Sequence, residues 1–535
     1  MTKTLLATVL AFLAACKPEN PPPVPTNGAP AAEGSAQENR VAEARKLLAE
    51  AGFADGTGFP KTAILYNTSE AHKKIAAAIQ SMRKKNLAIE VELTNTEWKT
   101  YLDQLSKLDY QVARRGWIGD YNDPNTFLEM FTSHSGNNNT GWKSREFDKL
   151  VADANAEQDS AKRRALLEKA EAMLMESCIL VPLYFYVSQE MIKPYVRGWH
   201  QNLQAIHPLN RVVREDGRTL VIQNHAEIQT LDPGIARGVP EHRVQIALYE
   251  GLLNYDPKTT EPIAGVAERW EISSDGKTYT FHLRDNAQWS DGRPVTARDF
   301  DFAWKRALAP ETASDYAHQL YYLKGAEAYN TGKNKDPNSV QVRATDDRTL
   351  VVELEHPTAF FINLMPFFTY YPVRKDKIDE HENQWTMPGK LVTNGPFMLK
   401  EWVTNQHLLM VRNPRYWNAA AVKQESVKFL PNENVSTAFD IYEAGECDVI
   451  TAVPLDFIDK LKARPDYYSD TYLGTYFYSF NVTKPPFDNA KVRKALALAL
   501  DREIICEKII RGGQRPAYHF VPPVFSGFRH ARFDR

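Results

Sequence analysis

The stretch AERWEISSDGKTYTFHLRDNAQWSDGRPVTARDF, residues 267–300, decides the fold. Polar and apolar residues alternate in it at the period of a β-strand, and the Asp-Gly pairs at 275–276 and 291–292 are typical of tight hairpin turns. After the second turn the apolar residues take helical spacing, from about residue 297. The stretch therefore predicts two β-hairpins that lead into a helix, which is a mixed α/β arrangement.

Strand and helix patterns also alternate along the rest of the chain. Alternating segments at 62–66, 88–93 and 475–482 predict strands, and helical spacing at 41–52 and 488–500 predicts helices. The chain has 535 residues, which is too long for one compact core. We therefore expect two or three lobes of mixed α/β structure.

The composition is that of a globular protein, with 43% hydrophobic and 25% charged residues and a net charge of −2. This charge excludes the basic surface that a nucleic-acid-binding protein needs. The 24 Tyr, 25 Phe and 10 Trp residues offer many flat surfaces for ligand contact, although most of them are expected in the core. After residue 16 no apolar run is long enough to span a membrane.

The first sixteen residues have the pattern of an export signal. Lys3 is followed by the apolar run TLLATVLAFLAA at 4–15, which is too short for a stable membrane anchor. The run ends in LAAC at 13–16, which resembles the lipobox of bacterial lipoproteins, where the cysteine is lipidated. We expect residues 1–15 to be a signal peptide and Cys16 to carry a lipid. An ordinary signal with a chance cysteine is the alternative.

Residues 16–37 are predicted as the lipidated cysteine and a disordered tether. Pro, Ala, Gly and Ser dominate after Cys16, and large apolar side chains are rare. Three further cysteines, Cys178, Cys447 and Cys506, have no CxxC or metal-ligand spacing. They are most simply small core residues, although a disulfide between two of them also fits the sequence.

Many strings resemble the oligopeptide-binding proteins, the family 5 extracellular solute-binding proteins that serve peptide ABC importers. The stretch at 267–300 is similar to the signature of that family. Eight further strings resemble the family, and the resemblance as a whole covers residues 38–535. The strings are ARKLLAEAGF (44–53), YNTSEAHKK (66–74), EWKTYLDQL (97–105), RGWIGDYNDP (115–124), NGPF (394–397), RNPRYW (412–417), YEAGECD (442–448) and NVTKPPFDNAKVRKALALALDRE (481–503). Because so many strings occur in one chain, it is identified as a member of the family.

The order of these strings differs from that of the family. There, the segment that begins near Thr219 comes first and the segment that ends near Leu209 comes last. Reading from FRHARFDR at 528–535 into ENRVAEARKLLAEAGF at 38–53 restores the order of the family. We therefore expect a circular permutation, which is tolerated when the original termini lie close together. A misassembled reading frame would give the same sequence.

The resemblance implies an α/β, two-lobed periplasmic-binding-protein type II fold with an extra subdomain, here circularly permuted. Lobe III would be assembled from both ends of the chain. The expected division is lobe III (first part) at 38–187, lobe I (crossing strand and start) at 188–247, lobe II at 248–372, lobe I (remainder) at 373–473 and lobe III (second part) at 474–535.

The resemblance also implies a receptor that captures short peptides between its lobes and delivers them to an ABC permease, without a cofactor or a metal. Such a receptor must bind the ammonium, the carboxylate and the backbone amides that all peptides share. Asp120 matches the family carboxylate that meets the ammonium, and Arg114 and His72 match cations that meet peptide carboxylates. By residue type alone, Asp120 could cap a loop turn and His72 could be a solvated helix residue.

Three aromatic residues are the expected walls of the side-chain pockets. Trp98 and Trp117 match pocket walls of the family, and Tyr316 is a further candidate. Ordinary core packing is the alternative for both tryptophans.

The chain departs from well-known relatives at several pocket positions. A disulfide of those relatives has no cysteines here, two pocket glutamates are replaced, and two cations become apolar. The pocket is therefore expected to be less acidic, which favours ligands that carry glutamate, including cell-wall peptides. The residues at these positions are Gly474 and Ile118 (disulfide), Arg237 and Ser479 (glutamates), and Leu105 and Ile510 (cations).

Other functions stay open at this point. Relatives in the same superfamily bind nickel chelates, haem or sugars, and a periplasmic peptidase is a further alternative. A peptidase needs a nucleophile with a base or a metal motif, but the sequence has no HExxH, GxSxG or P-loop motif. His134, His200 and His207 lack the spacing of metal ligands. We expect a monomer in the periplasm or cell envelope, held at the membrane by its lipid alone.

Overall fold

The computed structural model describes residues 30–534, with side chains from residue 36 onward. The predicted signal peptide and Cys16 lie outside the described residues. Helix α1 (Pro30–Glu50) begins inside the stretch predicted as a tether, so that prediction is wrong from Pro30 onward. Ala and Glu favour helices, and Pro30 occupies the first helical position, where its missing N–H has no effect. Within the described residues, every helix is too short or too polar to cross a membrane.

The strands of the described chain are short except for two. They are β1 (Thr62–Asn67), β2 (Val91–Thr96), β3 (Val112–Ile118), β4 (Leu180–Ile192), β5 (Val196–Arg197), β6 (Val213–Arg214), β7 (Leu220–Gln223), β8 (Leu253–Tyr255), β9 (Pro262–Ala264), β10 (Ala267–Ile272), β11 (Thr278–Leu283), β12 (Val342–Ala344), β13 (Thr349–Glu353), β14 (Phe397–Val403), β15 (His407–Arg412), β16 (Ser426–Leu430), β17 (Val449–Ile450), β18 (Tyr467–Phe480) and β19 (Arg515–Pro516).

The helices that follow α1 pack on the sheets, as α2 and α8 do, or on one another, as α5 and α6 do. They are α2 (Glu70–Leu87), α3 (Trp98–Ser106), α4 (Asn125–Leu128), α5 (Arg145–Ala156), α6 (Ser160–Ser177), α7 (Val239–Leu248), α8 (Ala297–Leu308), α9 (Ala326–Asn330), α10 (Phe361–Leu364), α11 (Lys375–His381), α12 (Val435–Glu443), α13 (Ile458–Leu461), α14 (Ala490–Leu498) and α15 (Arg502–Ile504).

One mixed sheet of eleven strands runs through the molecule, in the order β14-β15-β16-β7-β17-β4-β18-β3-β1-β2, with β19 paired to β4. Its middle is the antiparallel pair β4 and β18, which are 13 and 14 residues long. At about 3.3 Å per residue, each of these strands is roughly 45 Å long. The remaining strands attach on one side through β17 and on the other through β3, so this pair joins two halves of the molecule.

The stretch at 267–300 forms its first hairpin and its helix as predicted. β10 and β11 pair antiparallel, and β13 and β12 extend them to a separate four-stranded sheet. The second Asp-Gly turn ends in a single bridge between Gln288 and Pro294 instead of a hairpin. The Trp289 N–H donates to the Arg293 carbonyl at 2.8 Å and the Val295 N–H to the Ala287 carbonyl at 2.9 Å, and the pairing ends there because the chain turns into α8. Thr296 and Asp299 then form a capping box that begins α8.

The two ends of the described chain pack together in one half of the molecule. β3, from the N-terminal part, pairs with residues 474–480 of β18. Helix α1 packs beside α14, where Glu50 and Lys491 form an ion pair of 2.8 Å. At the far end of the chain, Arg40 on α1 lies 3.7 Å from Asp534.

The three cysteines of the described chain are buried free thiols, so no disulfide forms between them. Burial raises the pKa of Cys178 to about 11 and the pKa values of Cys447 and Cys506 to about 12. Thiols with such pKa values stay protonated and behave as small apolar residues of the core.

Candidate functional site

A cavity of about 180 Å³ lies beside the crossing pair β4 and β18. Both halves of the large sheet contribute to its walls, as does the segment that contains the four-stranded sheet. The lining is mainly aromatic and aliphatic, with a few charged side chains. The lining residues are Trp98, Tyr101, Leu102, Leu105, Arg114–Asp120, Asn137, Asn139, Gln204–His207, Arg237–Val239, His242, Arg243, Ile246, Tyr316, Phe367, Phe368 and Tyr472.

Asp120 supplies the carboxylate of the cavity, two residues after β3 ends. Its Oδ2 accepts a hydrogen bond from the Gln319 amide at 2.7 Å, and its backbone N–H donates to the Thr126 hydroxyl at 3.1 Å. Among residues 36–534, no lysine, arginine or histidine pairs with Asp120. Burial and the neighbouring Glu129 carboxylate raise the pKa of Asp120 well above its usual value. Asp120 is therefore a desolvated carboxyl group that lacks a counter-ion.

A second aspartate in the same loop, Asp123, caps the turn. Its Oδ1 accepts a hydrogen bond from the Asn125 backbone N–H at 2.9 Å. Its two carboxylate oxygens accept hydrogen bonds of 2.8 Å each from Arg163. The capping role considered for Asp120 thus belongs to Asp123, which does not line the cavity.

Arg114 lies on β3, six residues before Asp120. Its guanidinium donates to the Tyr186 hydroxyl at 2.8 Å and to Asn67 Oδ1 at 3.2 Å, and it packs over the Tyr476 ring at 4.6 Å. Its buried Nε has no hydrogen-bond partner in the part of the chain that the structure describes. No carboxylate of the described residues is among the groups that act on Arg114. Arg114 is therefore a buried cation that lacks a counter-ion.

The backbone between these two charges has an open edge. β18 pairs with β3 from Ile118 to Val112, whereas β1 pairs with β3 only at Val112 and Ala113. The second edge of residues 114–118 thus has no strand partner in the described chain, and these residues line the cavity. A Cβ at Gly116 would lie 2.5 Å from the Tyr186 hydroxyl, so a side chain there would push Tyr186 away from Arg114.

Trp98, Trp117 and Tyr316 all line the cavity. The rings of Trp117 and Tyr316 stack with centroids 6.5 Å apart, and the Trp117 indole N–H donates to the Thr126 carbonyl at 2.8 Å. Trp98 stacks on Tyr101 with centroids 5.7 Å apart. Trp117 lies on β3 and Tyr316 lies near the four-stranded sheet, so their contact crosses the cleft between two parts of the molecule.

His72 does not line the cavity. It lies on α2, where its Nδ1 is 3.3 Å from the Tyr476 hydroxyl, and Tyr476 also contacts Arg114. Burial and the charge of Arg114 lower the pKa of His72 well below its usual value, so the imidazole is neutral. The structure therefore places His72 outside the cavity lining, in contact with Tyr476, which packs against Arg114.

Three residues of the candidate site were not identified from the sequence. Arg115 and Arg243 line the cavity, and Gln319 orients Asp120 from 199 residues away along the chain. The long separation explains why no motif pointed to Gln319. For Arg115 a signal was present, because VARRGWI at 112–118 places two adjacent charges on an otherwise apolar strand.

One group of residues outside the cavity is close enough to share a metal ion: Glu171, His519 and His530. The Glu171 carboxylate already accepts backbone hydrogen bonds, including one of 2.8 Å from Val521. The two imidazole rings stack with centroids 3.8 Å apart, so their lone pairs lie in nearly parallel planes. This geometry fits a carboxylate that anchors the C-terminal loop better than it fits a metal centre.

Comparison with known proteins places this architecture in a family. The family model described as bacterial extracellular solute-binding proteins, family 5 Middle, matches residues 8–139 and 261–534. The periplasmic oligopeptide-binding protein OppA of Escherichia coli (strain K12) is 42% identical over 321 residues, which are 59% of this chain and 59% of OppA. The chain thus spans 59% of the length of this curated relative.

Two solved structures are also similar. The Escherichia coli murein tripeptide-binding protein MppA matches with a TM-score of 0.56 and 39% identity, over 58% of this chain and 61% of that one. Haemophilus influenzae OppA in complex with RPPGFSPFR matches with a TM-score of 0.55 and 37% identity, over 57% and 60% of the two chains. The predicted two-lobed α/β fold is confirmed, whereas the permutation stays a prediction. The chain belongs to the bacterial extracellular solute-binding proteins of family 5.

Proposed function

We propose that the chain is the substrate-binding receptor of an ABC importer and that it captures short peptides in the cavity between its lobes. The pair of buried, unpartnered charges, Asp120 and Arg114, carries this proposal. A zwitterionic peptide supplies both missing counter-ions at once. Its backbone amides can bond to the open strand edge between the two charges. The names of the relatives, oligopeptide-binding and murein tripeptide-binding protein, support the same class of ligand.

The separation of the two charges fits a short ligand. Arg114 and Asp120 are six residues apart, so their backbones are at most roughly 20 Å apart at about 3.3 Å per residue. Both side chains reach toward the ligand and shorten this distance. A peptide whose ends meet both groups is therefore on the order of three to five residues long.

Lobe closure accounts for how the ligand is held. Gln319 and Tyr316 approach Asp120 from the opposite side of the cleft, and Tyr316 stacks on Trp117. These contacts form only when the cleft is closed, and closure also removes water from Asp120. Closing without an ammonium leaves a buried anion unpaired, so the peptide stabilises the closed form over the open form.

Other candidate functions find less support in the cavity. Among the described lining residues there is no serine, threonine or cysteine, so a peptidase would lack a nucleophile. A nickel chelate or haem would leave Asp120 without an ammonium. A murein peptide is a special case of the proposed ligand, since it offers both an ammonium and carboxylates.

We further propose that the receptor works in the periplasm or cell envelope, since the relatives are named as periplasmic proteins. The lipid anchor at Cys16 is supported by the LAAC string at 13–16, which lies outside the described residues. The permease partner and the monomeric state are likewise part of the proposal.

The circular permutation is also proposed, and three observations support it. Asp534 lies 3.7 Å from Arg40, so the end of the chain is beside the helix that would follow it in the family order. The family model matches in two separate blocks. Alignments with two OppA proteins cover 321 and 316 residues, and the block 219–535 contains about 317. A sequential alignment can follow only one of two exchanged blocks.

Asp120→Asn keeps the shape of the side chain and removes its charge, so the ligand ammonium loses its counter-ion. We expect peptide binding to weaken by about 2–5 kcal/mol, which is roughly 30-fold to several thousand-fold. Acetylation of the peptide N-terminus should cost as much in the wild type and little more in the variant. Calorimetry of the four combinations forms a double-mutant cycle that isolates the coupling between the two groups.

Asp123→Asn is the control for that cycle. Asp123 pairs with Arg163 in the same loop but does not line the cavity. This variant should keep the full sensitivity to acetylation. If the effects of Asp120→Asn and acetylation are simply additive, Asp120 does not meet the peptide N-terminus.

Peptide binding should also release a proton. In the free protein, burial and Glu129 hold the pKa of Asp120 well above its usual value, and the incoming ammonium favours the ionised carboxylate. Affinity should therefore be constant above this raised pKa and fall below it, by up to about tenfold per pH unit. Calorimetry in buffers of different ionisation enthalpy measures the proton release. Affinity that does not change as the pH is lowered would count against the proposal.

Glu129→Gln provides the control for the pH dependence. Glu129 has a pKa raised to about 7 by burial, and its charge raises the pKa of Asp120. The variant removes that repulsion, so the fall in affinity should move to lower pH. In Asp120→Asn the part of the fall in peptide affinity at low pH that comes from protonation of Asp120 should disappear.

The permutation can be reversed by joining residues 219–535 directly to residues 38–218. We expect the reordered chain to unfold at the same denaturant concentration and to bind peptides as tightly, because only the contacts at the junctions change. A chain opened inside β18 should not fold, since this strand holds the sheet together. If the reordered chain fails to fold or bind, the permutation proposal is wrong.

Cys16→Ser tests the lipid anchor. The serine hydroxyl replaces the thiol that would be acylated, so the variant should move from the membrane fraction to the soluble fraction. Immunoblots of fractionated cells measure this distribution. Continued membrane attachment of the variant would rule out a lipid on Cys16.

A further inference from the structure

Arg115 is a second buried cation in the cavity wall. It is 6% exposed, and its guanidinium packs over the Phe477 ring at 5.7 Å. Its Nη2 donates to the Asn137 carbonyl at 3.1 Å, whereas its Nη1 is buried without a hydrogen-bond partner in the described chain. A buried guanidinium nitrogen without a partner costs free energy that an acceptor in the cavity would restore.

Two neighbours of Arg115 in the cavity lining also have a buried N–H group without a hydrogen-bond partner in the described chain. Asn137 is 7% exposed, and its Nδ2 has no hydrogen-bond partner among the described residues. Arg237 donates through Nη1 to Asp315 and Ser106, but its buried Nε is also unpartnered there. Burial, together with repulsion from Arg237 and Arg114, lowers the pKa of Arg115. Three unsatisfied N–H donors therefore border this part of the cavity.

Arg115 cannot share the ligand group that Arg114 binds. Neighbouring residues of a strand point to opposite faces. Accordingly, Arg114 contacts Tyr186 and Tyr476, whereas Arg115 contacts Asn137 and Phe477. A carboxylate on Arg115 must come from a different part of the ligand than the carboxylate on Arg114.

Arg115 is left without a counter-ion when both peptide termini are bound. On the proposed function, the peptide ammonium pairs with Asp120 and the peptide carboxylate pairs with Arg114. Arg237 already forms an ion pair with Asp315. Arg115 has no such partner within residues 36–534, and the donors around it suit an acceptor-only group with two oxygens.

We infer that Arg115, Asn137 and Arg237 form a subsite for the carboxylate of an acidic ligand side chain. The receptor then prefers short peptides that carry a glutamate, or a residue with a comparable side-chain carboxylate, over the uncharged equivalents. This inference rests on the proposed function, because it assumes that the two peptide termini occupy Asp120 and Arg114.

Matched peptides test the subsite. A set of tripeptides and tetrapeptides places Glu or Gln at each position in turn, so that the members of a pair differ only in one side-chain charge. In the wild type we expect the Glu member to bind at least about tenfold more tightly at one position. In Arg115→Gln the ratio of the two affinities should fall to about one, whatever change the variant causes in binding of the Gln member. Calorimetry measures the affinities, and circular dichroism checks that the variant is folded.

Asn137→Asp is a second variant that covers the case in which Arg115→Gln does not fold. The new carboxylate would form an ion pair with the Arg115 guanidinium. The ratio of Glu-peptide to Gln-peptide affinity should therefore shrink. Equal binding of both peptides to the wild type, or a Glu preference that survives in the variants, would overturn the subsite while the peptide-receptor function stands. Failure of both peptides to bind the wild type would instead overturn the proposed function and the subsite with it.

Discussion

Strands β4 and β18 are held together by antiparallel backbone hydrogen bonds along most of their length, and both halves of the large sheet attach to this pair. The register of β18 against β3 also decides where residues 112–118 stand. The pairing of β18 with β4 is interrupted between Thr471 and Thr475, and Tyr472 from this interruption lines the cavity. The cleft is thus built at the point where the joining strands depart from regular pairing. Gly474 faces Ile118 there.

A second feature of the structure is that two ionisable groups in its cavity lack counter-ions. Several buried charges of the described chain are neutralised locally, as in the pairs Arg214–Asp448 and Arg163–Asp123, and others, such as Arg502, bond to backbone carbonyls. In the cavity, Asp120 and Arg114 have no such partners and are held by neutral groups instead. An unpaired buried charge lowers the stability of the closed protein, so it is retained where a ligand supplies the counter-ion. On the proposed function, the same two positions would provide both affinity and selection for a zwitterion.

Local patterns in the sequence predicted the local structure well. The alternation at 267–300 predicted β10, β11 and α8, because strand and helix periods depend on neighbouring residues alone. The second Asp-Gly turn gives only one bridge, because the chain enters α8 directly after it. The helix from Pro30 was missed because the Pro-rich composition before it dominated the interpretation of residues 16–37.

The candidate site was only partly visible in the sequence. Resemblance to the family indicated Asp120, Arg114 and the aromatic walls, and all of them line the cavity. It could not indicate Gln319 or the position of His72, because both depend on contacts between segments that are far apart along the chain. The roles of these residues in binding stay predictions.

Native mass spectrometry of the receptor, purified together with the ligand that it carries from the cell, tests the central claim most directly. The account predicts a bound species that fragments as a short peptide with a free N-terminal amine, because the unpaired Asp120 carboxylate requires an ammonium. A bound haem, metal chelate or sugar, or peptides with blocked N-termini only, would contradict it.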